Sequence, residues 1–132
     1  MAKKKKITVE ELKAELIAVI EGVIADANRV TDDDSARRLD HAMQTYDIRR
    51  FGLQRKLDRN CDEDLVYEAS SLVEEAQNWV NAAEGTFNRL LFAEDDDTTL
   101  EERIRPQLPQ TRMALTCARE ALLAIPTETD EE

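Results

Sequence analysis

The sequence is poor in the residues that interrupt or cross-link a chain. Its 132 residues include three glycines, three prolines and two cysteines. Folds made of many short strands need more turn residues than this, so the scarcity argues against an all-β domain. Cys61 and Cys117 are isolated in the sequence, which excludes a disulfide-dense framework and suits a reducing compartment. We therefore predict a cytoplasmic protein.

The sequence also lacks long apolar runs. The longest contains five residues, as at Leu16–Ile20. A bilayer-spanning helix needs about 20 predominantly apolar residues, and a signal peptide needs a longer apolar core than this one. We therefore expect no membrane segment, although the lysines before Ile7 resemble the charged start of a signal peptide.

The residues that usually build a catalytic or metal site are scarce. The only histidine, His41, has Arg37 and Arg38 among its helical neighbours, so the Glu-x-x-His pattern of bundle metal sites is missing. No histidine base accompanies a serine or cysteine nucleophile, and the three glycines are too far apart for a phosphate-binding loop. We predict a protein without enzymatic activity, cofactor or metal.

Residues that favour helices are abundant, with 16 alanines and 14 leucines. Apolar residues recur every three or four positions in several long segments, which is the pattern of amphipathic helices. A capping box at Thr8-Val9-Glu10-Glu11 marks the start of the first helix. The patterns predict helices over Val9 to Ala27, Asp34 to Arg59, Glu63 to Phe92 and, near the C-terminus, Gln110 to Ile125.

A further helical start is indicated after the acidic turn at Glu94 to Asp97. Thr98 with Glu101, or Thr99 with Glu102, forms a second capping box. The fold prediction is all-α: an antiparallel, up-down bundle of four long helices, the fourth kinked or split by Pro106 and Pro109. Three regions are expected: a flexible basic tail over 1–7, one helical-bundle domain over 8–125, and a flexible acidic tail over 126–132.

Three side-chain expectations follow from the same patterns. Trp79 belongs to the apolar stripe of the third helix, so we predict that it is largely buried. Gly22 is expected to let a neighbouring backbone approach the first helix closely. Phe87, Leu90 and Leu91 lie near the end of a long helix, where we expect partial exposure in a monomer and therefore a homodimer.

Charge is distributed unevenly along the chain, whose net charge is −11. In an up-down bundle the turns after the first and third helices lie at the same end, so their carboxylates are predicted to meet. We call these residues the acidic pole: Asp32, Asp33, Asp34, Glu94, Asp95, Asp96 and Asp97. They stabilise helix starts, and they also offer a surface that imitates a phosphate array.

Cations collect on one side of the second helix. At 100° per residue they occupy about one third of its circumference, opposite the apolar stripe. We call this set the basic arc: Arg37, Arg38, Arg49, Arg55, Lys56 and Arg59. The arc is read either as a solvated face partly paired with neighbouring acids or as a surface that binds carboxylates or phosphates.

These features favour a non-catalytic interaction protein, an adaptor or inhibitor that binds a protein partner with a basic surface. Charge mimicry of nucleic acid, directed at a nucleic-acid-binding protein, is one version of this function. The alternative is a nucleic-acid-associated subunit that contacts phosphates through the basic arc. Nucleic acid is the less favoured partner because the overall charge is strongly negative.

Overall fold

A computed structural model describes residues 6–58, 63–91 and 100–127, with the backbone alone for residues 90, 91, 100 and 101. Within this part the chain is 87% helical and contains no strand, so the all-α prediction is confirmed. The elements are α1 Val9–Ala27, α2 Asp33–Lys56, α3 Glu63–Leu91, α4 Leu100–Ile104, a 3-10 turn Arg105–Gln107 and α5 Leu108–Leu123.

The limits of α1 are those predicted. Thr8 Oγ1 accepts a hydrogen bond from the Glu11 backbone N–H at 3.1 Å, and Glu11 Oε1 accepts one from the Thr8 N–H at 3.0 Å. These two bonds satisfy amide groups that a helix start otherwise leaves unpaired. The helix buries one stripe, which includes Leu12, Leu16 and Ile20.

The second helix begins one residue before the predicted start and ends at Lys56, three residues before the predicted end. The chain that enters α1 lies beside this end: the Ile7 N–H donates to the Lys56 carbonyl at 2.9 Å, and the Asp58 N–H donates to the Ile7 carbonyl at 2.8 Å. Ile7 is thus bonded on both sides. Residues 1–5 and 128–132, which make up most of the two predicted tails, lie outside the described residues.

The third helix continues through Gly85 and spans the 29 residues Glu63–Leu91, while its predicted last residue, Phe92, lies outside the described residues. Thr98 and Thr99 of the second predicted capping box lie outside the described residues. Pro106 is near the start of the 3-10 turn and Pro109 is in the first turn of α5. Proline is accepted there because the first amides of a helix have no intrahelical partner.

Four helices pack against one another around a single core. α1 lies mainly against α2 and α5, and α3 lies mainly against α5 and α2. Each contributes fully buried side chains, among them Leu16 and Ile20, Leu39 and Met43, Val73 and Phe87, and Leu115 and Leu122. No helix in the described ranges is long and apolar enough to cross a membrane.

The environments predicted for Trp79, Phe87 and Gly22 are wrong, whereas the homodimer stays a prediction. Trp79 is 40% exposed, because Val73, Ala76, Val80 and Phe87 occupy the core stripe and leave it on the flank of α3. Phe87 is 0% exposed and needs no second copy to cover it, while the side chains of Leu90 and Leu91 lie outside the described residues. Among the described residues, no other helix comes within 4 Å of the position that a Cβ would occupy at Gly22, so the predicted close approach of a neighbouring backbone is not found there.

Candidate functional site

The three described residues of the acidic pole lie at the N-terminus of α2. Asp32 caps the helix: its Oδ1 accepts hydrogen bonds from the Ser35 N–H at 2.9 Å and the Ser35 hydroxyl at 2.8 Å. The bond from the Ser35 backbone, followed by the one from its side chain, lowers the pKa of Asp32. Asp33 and Asp34 are exposed in the first turn. The other four residues, Glu94, Asp95, Asp96 and Asp97, lie outside the described residues, so the meeting of the two turns stays a prediction.

The basic arc separates into residues with different surroundings. Arg49 Nη2 forms an ion pair with Glu15 Oε1 of α1 at 3.0 Å. The Arg55 guanidinium lies 5.7 Å from the centre of the Phe51 ring, within the range of a cation–π contact. Arg37, Arg38 and Lys56 are exposed, whereas Arg59 lies outside the described residues. Arg49 thus connects α2 to α1, and Arg55 lies on the outer side of α2.

Two large apolar residues lie on the same outer side of α2. Ile48 is 74% exposed and Phe51 is 56% exposed. Cations alone would keep this face soluble. Burial of exposed apolar side chains of this size in an interface is favourable, because it removes their surface from water. The outer face of α2 is therefore mixed apolar and cationic.

Between α2 and α3 lies a layer of polar side chains that the sequence pattern did not predict. Gln77, only 9% exposed, donates from Nε2 to Asp47 Oδ1 at 2.6 Å and to Asn81 Oδ1 at 2.9 Å. Its Oε1 accepts from Arg50 Nε at 3.0 Å. We call Asp40, Asp47, Arg50, Gln77, Asn81 and Glu84 the polar seam. Gln77 was not recognisable beforehand because it flanks the apolar stripe and could equally face water.

The carboxyl groups of the polar seam affect one another. Burial, then a hydrogen bond to Asp47 and the charges of Asp47 and Asp40, raise the pKa of Glu84 to about 7. Burial also raises the pKa of Asp40, whose Oδ2 accepts from Gln44 Nε2 at 2.9 Å. Asp40 Oδ1 is buried with no hydrogen-bond partner in the described part of the chain. Glu84 therefore keeps its proton to a higher pH than an exposed glutamate does.

Nothing in the described ranges adds a reactive group to this seam. Within them, no three His, Cys, Asp or Glu side chains are placed to hold a metal ion. The free thiol of Cys117 is half-buried on α5, away from α2. A carboxyl group with a raised pKa between two helices can make their packing depend on pH.

A groove of about 420 Å³ runs between α3 and α5. Trp79 of α3 and Met113 of α5 line it, and both are well exposed, at 40% and 65%. Its other lining residues are small or uncharged: Ala82, Ala83, Thr86, Gln110, Thr111 and Ala114. We call this the Trp79 groove. The sequence had placed Trp79 in the core, so the groove was not predicted.

Exposed carboxylates lie on both helices that border the Trp79 groove. Glu75 lies one turn before Trp79 on α3, and Glu120 lies two turns after Met113 on α5. Both are exposed. The groove therefore combines apolar contact area with negative charge. No protein-family model, curated protein or solved structure matches the chain.

Proposed function

We propose that this chain is a non-catalytic helical interaction protein, an adaptor or inhibitor, that binds a protein partner with a basic surface. The single observation that carries the proposal is the exposure of Trp79 and Met113 on the Trp79 groove. Tryptophan and methionine are enriched at protein interfaces, where they provide large contact areas. We expect the protein to act in the cytoplasm.

The shape of the groove supports a helical or extended segment as the occupant. It is bordered by two helices and lined by alanines, so a partner side chain can approach the helix surfaces closely. Apolar anchors at helical spacing in an amphipathic segment would fit between Trp79 and Met113.

The charge around the groove supports a basic partner. Glu75 and Glu120 are exposed at its borders, and Asp33 and Asp34 add negative charge at the start of α2. The net charge of −11 favours encounter with positive surfaces. Mimicry of nucleic acid, with a nucleic-acid-binding protein as the target, is one form of this function.

We also propose that the helices follow the up-down order. Three contacts between α1 and α5 support it: Lys13 Nζ donates to the Ile125 carbonyl at 2.7 Å, Arg119 Nε contacts Glu21 Oε2 at 3.1 Å, and Arg112 Nε donates to the Ala27 carbonyl at 3.3 Å. Higher residue numbers on α1 thus contact lower residue numbers on α5, as expected for antiparallel helices. The Trp79 groove then runs along two antiparallel helices.

The test is affinity capture from the native host, with bound proteins identified by mass spectrometry. We expect wild type to retain a protein with a basic surface, and Trp79→Ala with Met113→Ala to lose it. Tyr67→Ala is the matched control, because Tyr67 is an aromatic residue 76% exposed elsewhere on α3. Glu75→Lys, a surface change that spares the fold, should weaken retention as well. Equal capture by wild type and the double variant would overturn the assignment.

The alternative function is association with nucleic acid through the basic arc. It is supported by Arg37, Arg38 and Lys56, which are exposed and have no ion pair to a carboxylate in the described part of the chain. The exposed ring of Phe51 would add a stacking surface for a base. Against it stand the apolar Ile48 and the negative field of the remaining helices.

A further inference from the structure

The outer surface formed by α2 and α3 together is a second candidate for an interface, separate from the Trp79 groove. On α2 it presents Phe51 and Arg55, and on α3 it presents Tyr67 and Glu74, all of them exposed. The helical positions of these residues put them outward of the polar seam and away from both α1 and α5. We call this surface the α2–α3 face.

Charge is divided between the two halves of this face. The α2 half carries Arg55, and the α3 half carries Glu74. Each half also has an exposed aromatic ring, since Phe51 is 56% exposed and Tyr67 is 76% exposed. The two halves are therefore complementary in charge. The α2 half of one copy can contact the α3 half of a second copy.

We infer that the α2–α3 face binds the same face of a second copy, with α2 of each chain against α3 of the other. This goes beyond the proposed function, because it uses a different surface. A two-fold axis parallel to the helices and between α2 and α3 produces the pairing, and each half of the face is used twice. The other two-fold arrangement, with an axis across the helices, would put α2 against α2 and bring cations together.

The register of α2 and α3 supports the same arrangement. Gln77 bonds to both Asp47 and Arg50, so the middle of α3 is level with residues 47–50 of α2. In the up-down order, residues 51–55 are then level with roughly residues 70–75 of α3; Glu74 lies in this range and Tyr67 about one turn beyond it. An axis parallel to the helices preserves height, so Phe51 and Arg55 of one copy meet Glu74 and Tyr67 of the other.

The negative net charge opposes association of two copies only in part. Charges more than about 8 Å apart are largely screened at physiological salt. The opposed charges on this face would lie in direct contact beside aromatic rings, where their attraction is stronger. Local complementarity therefore outweighs the repulsion between distant carboxylates.

The test is a charge exchange read by sedimentation velocity at physiological salt. We expect wild type to dimerise at a concentration of about 100 μM, typical of a moderate interface. Arg55→Glu and Glu74→Arg should each weaken dimerisation at least tenfold, because each makes the two contacting halves alike in charge. An equimolar mixture of the two variants should recover the wild-type dimer, because both contacts in the mixed pair then join opposite charges.

Matched controls lie next to the tested residues. Lys56→Glu follows Arg55 but lies on the α1 side of α2, and Glu75→Arg follows Glu74 but lies beside the Trp79 groove. Both should leave dimerisation unchanged. Glu75→Arg should reduce partner capture, whereas Arg55→Glu should not, so the two proposals can fail separately.

Three results would overturn the inference. The first is a wild-type monomer at about 100 μM, in low and high salt alike. The second is a dimer that both charge reversals leave intact, which would indicate another interface. The third is a mixture of variants that stays monomeric although each variant keeps the wild-type circular dichroism spectrum.

Discussion

At the scale of single residues, Glu84 is the carboxyl group whose pKa is raised closest to neutral pH among those described. It lies half-buried on α3 and shares a hydrogen bond with Asp47. The negative charge of Asp40 across the polar seam disfavours ionisation of its carboxyl group. Burial is the largest cause of its raised pKa, since a carboxylate loses hydration when it leaves water. Arg50, the nearest cation in the seam, is already bonded to Gln77 and Gln54.

The sign of the pH effect follows from the direction of the shift. In the folded state the pKa of Glu84 is about 7, above its ordinary value of 4.5, so the folded chain holds this proton more tightly than the unfolded chain. The resulting stabilisation is fully present below about pH 4.5 and is lost as the pH rises through 7. Asp40 acts in the same direction because its pKa is also raised.

We therefore expect Glu84→Gln to be more stable than wild type at pH 8, by about 1 kcal/mol, and nearly equal to it at pH 4.5. The expected gain in the free energy of unfolding is smaller than the full value implied by the pKa shift, because solvent partly screens the charge of Glu84. Urea unfolding followed by circular dichroism at both pH values measures it. Glu68→Gln, at an exposed position of the same helix, is the control for loss of a carboxyl group. A Glu84→Gln variant less stable than wild type at pH 8 would show that the carboxylate is favourably bound.

At the scale of elements, the ends of the helices differ in how they are determined. The start of α1 depends on Thr8 and Glu11, which lie three residues apart and bond to each other's backbone. The end of α2 has a long-range contact instead, because Ile7 bonds to residues 56 and 58. Sequence patterns locate the first kind of boundary well, and they missed the end of α2 by three residues.

We expect Thr8→Ala to lower the free energy of unfolding by about 1 kcal/mol, because the N-cap acceptor of α1 is lost. Thr116→Ala, at an exposed position within α5, is the matched control and should change stability little. Urea unfolding at neutral pH compares the two. If both variants unfold like wild type, the capping box does not contribute to stability.

At the scale of the whole molecule, charge is the dominant surface property. Residues 35–60 carry a net charge of +4, and residues 61–102 carry −12. This uneven distribution of charge can stabilise a pair of copies or attract a basic protein. Its positive part can also contact phosphates. Exposed apolar residues lie beside both kinds of charge: Ile48 and Phe51 beside cations of α2, and Trp79 and Met113 near Glu75 and Glu120.

We expect wild type to bind single- and double-stranded nucleic acid weakly or not at all at physiological salt, because the acidic helices repel phosphates. Fluorescence anisotropy with labelled oligonucleotides measures it. Submicromolar binding would instead favour the basic arc as a phosphate reader. In that case reversal of Arg38, Arg49, Arg55 and Arg59 to Glu should abolish binding, and each cation in contact should add a little under one unit to the slope of log affinity against log salt.

The sequence by itself determined the all-α class, the limits of α1 and the continuity of α3. These depend on caps within three or four residues and on apolar stripes repeated every turn, so neighbours along the chain are sufficient to define them. The same patterns identified the charged residues of the acidic pole and the basic arc. They could not tell which of these residues have partners.

Only the tertiary structure decided which flank of each helix is covered. Trp79 and Gln77 both lie beside the core stripe of α3, yet Trp79 borders an open groove against α5 and Gln77 is buried against α2. The pairing of Arg49 with Glu15 likewise depends on α1 lying beside α2. Residues at the edge of a stripe are buried or exposed according to the neighbouring helix, and helix periodicity contains no information about that neighbour.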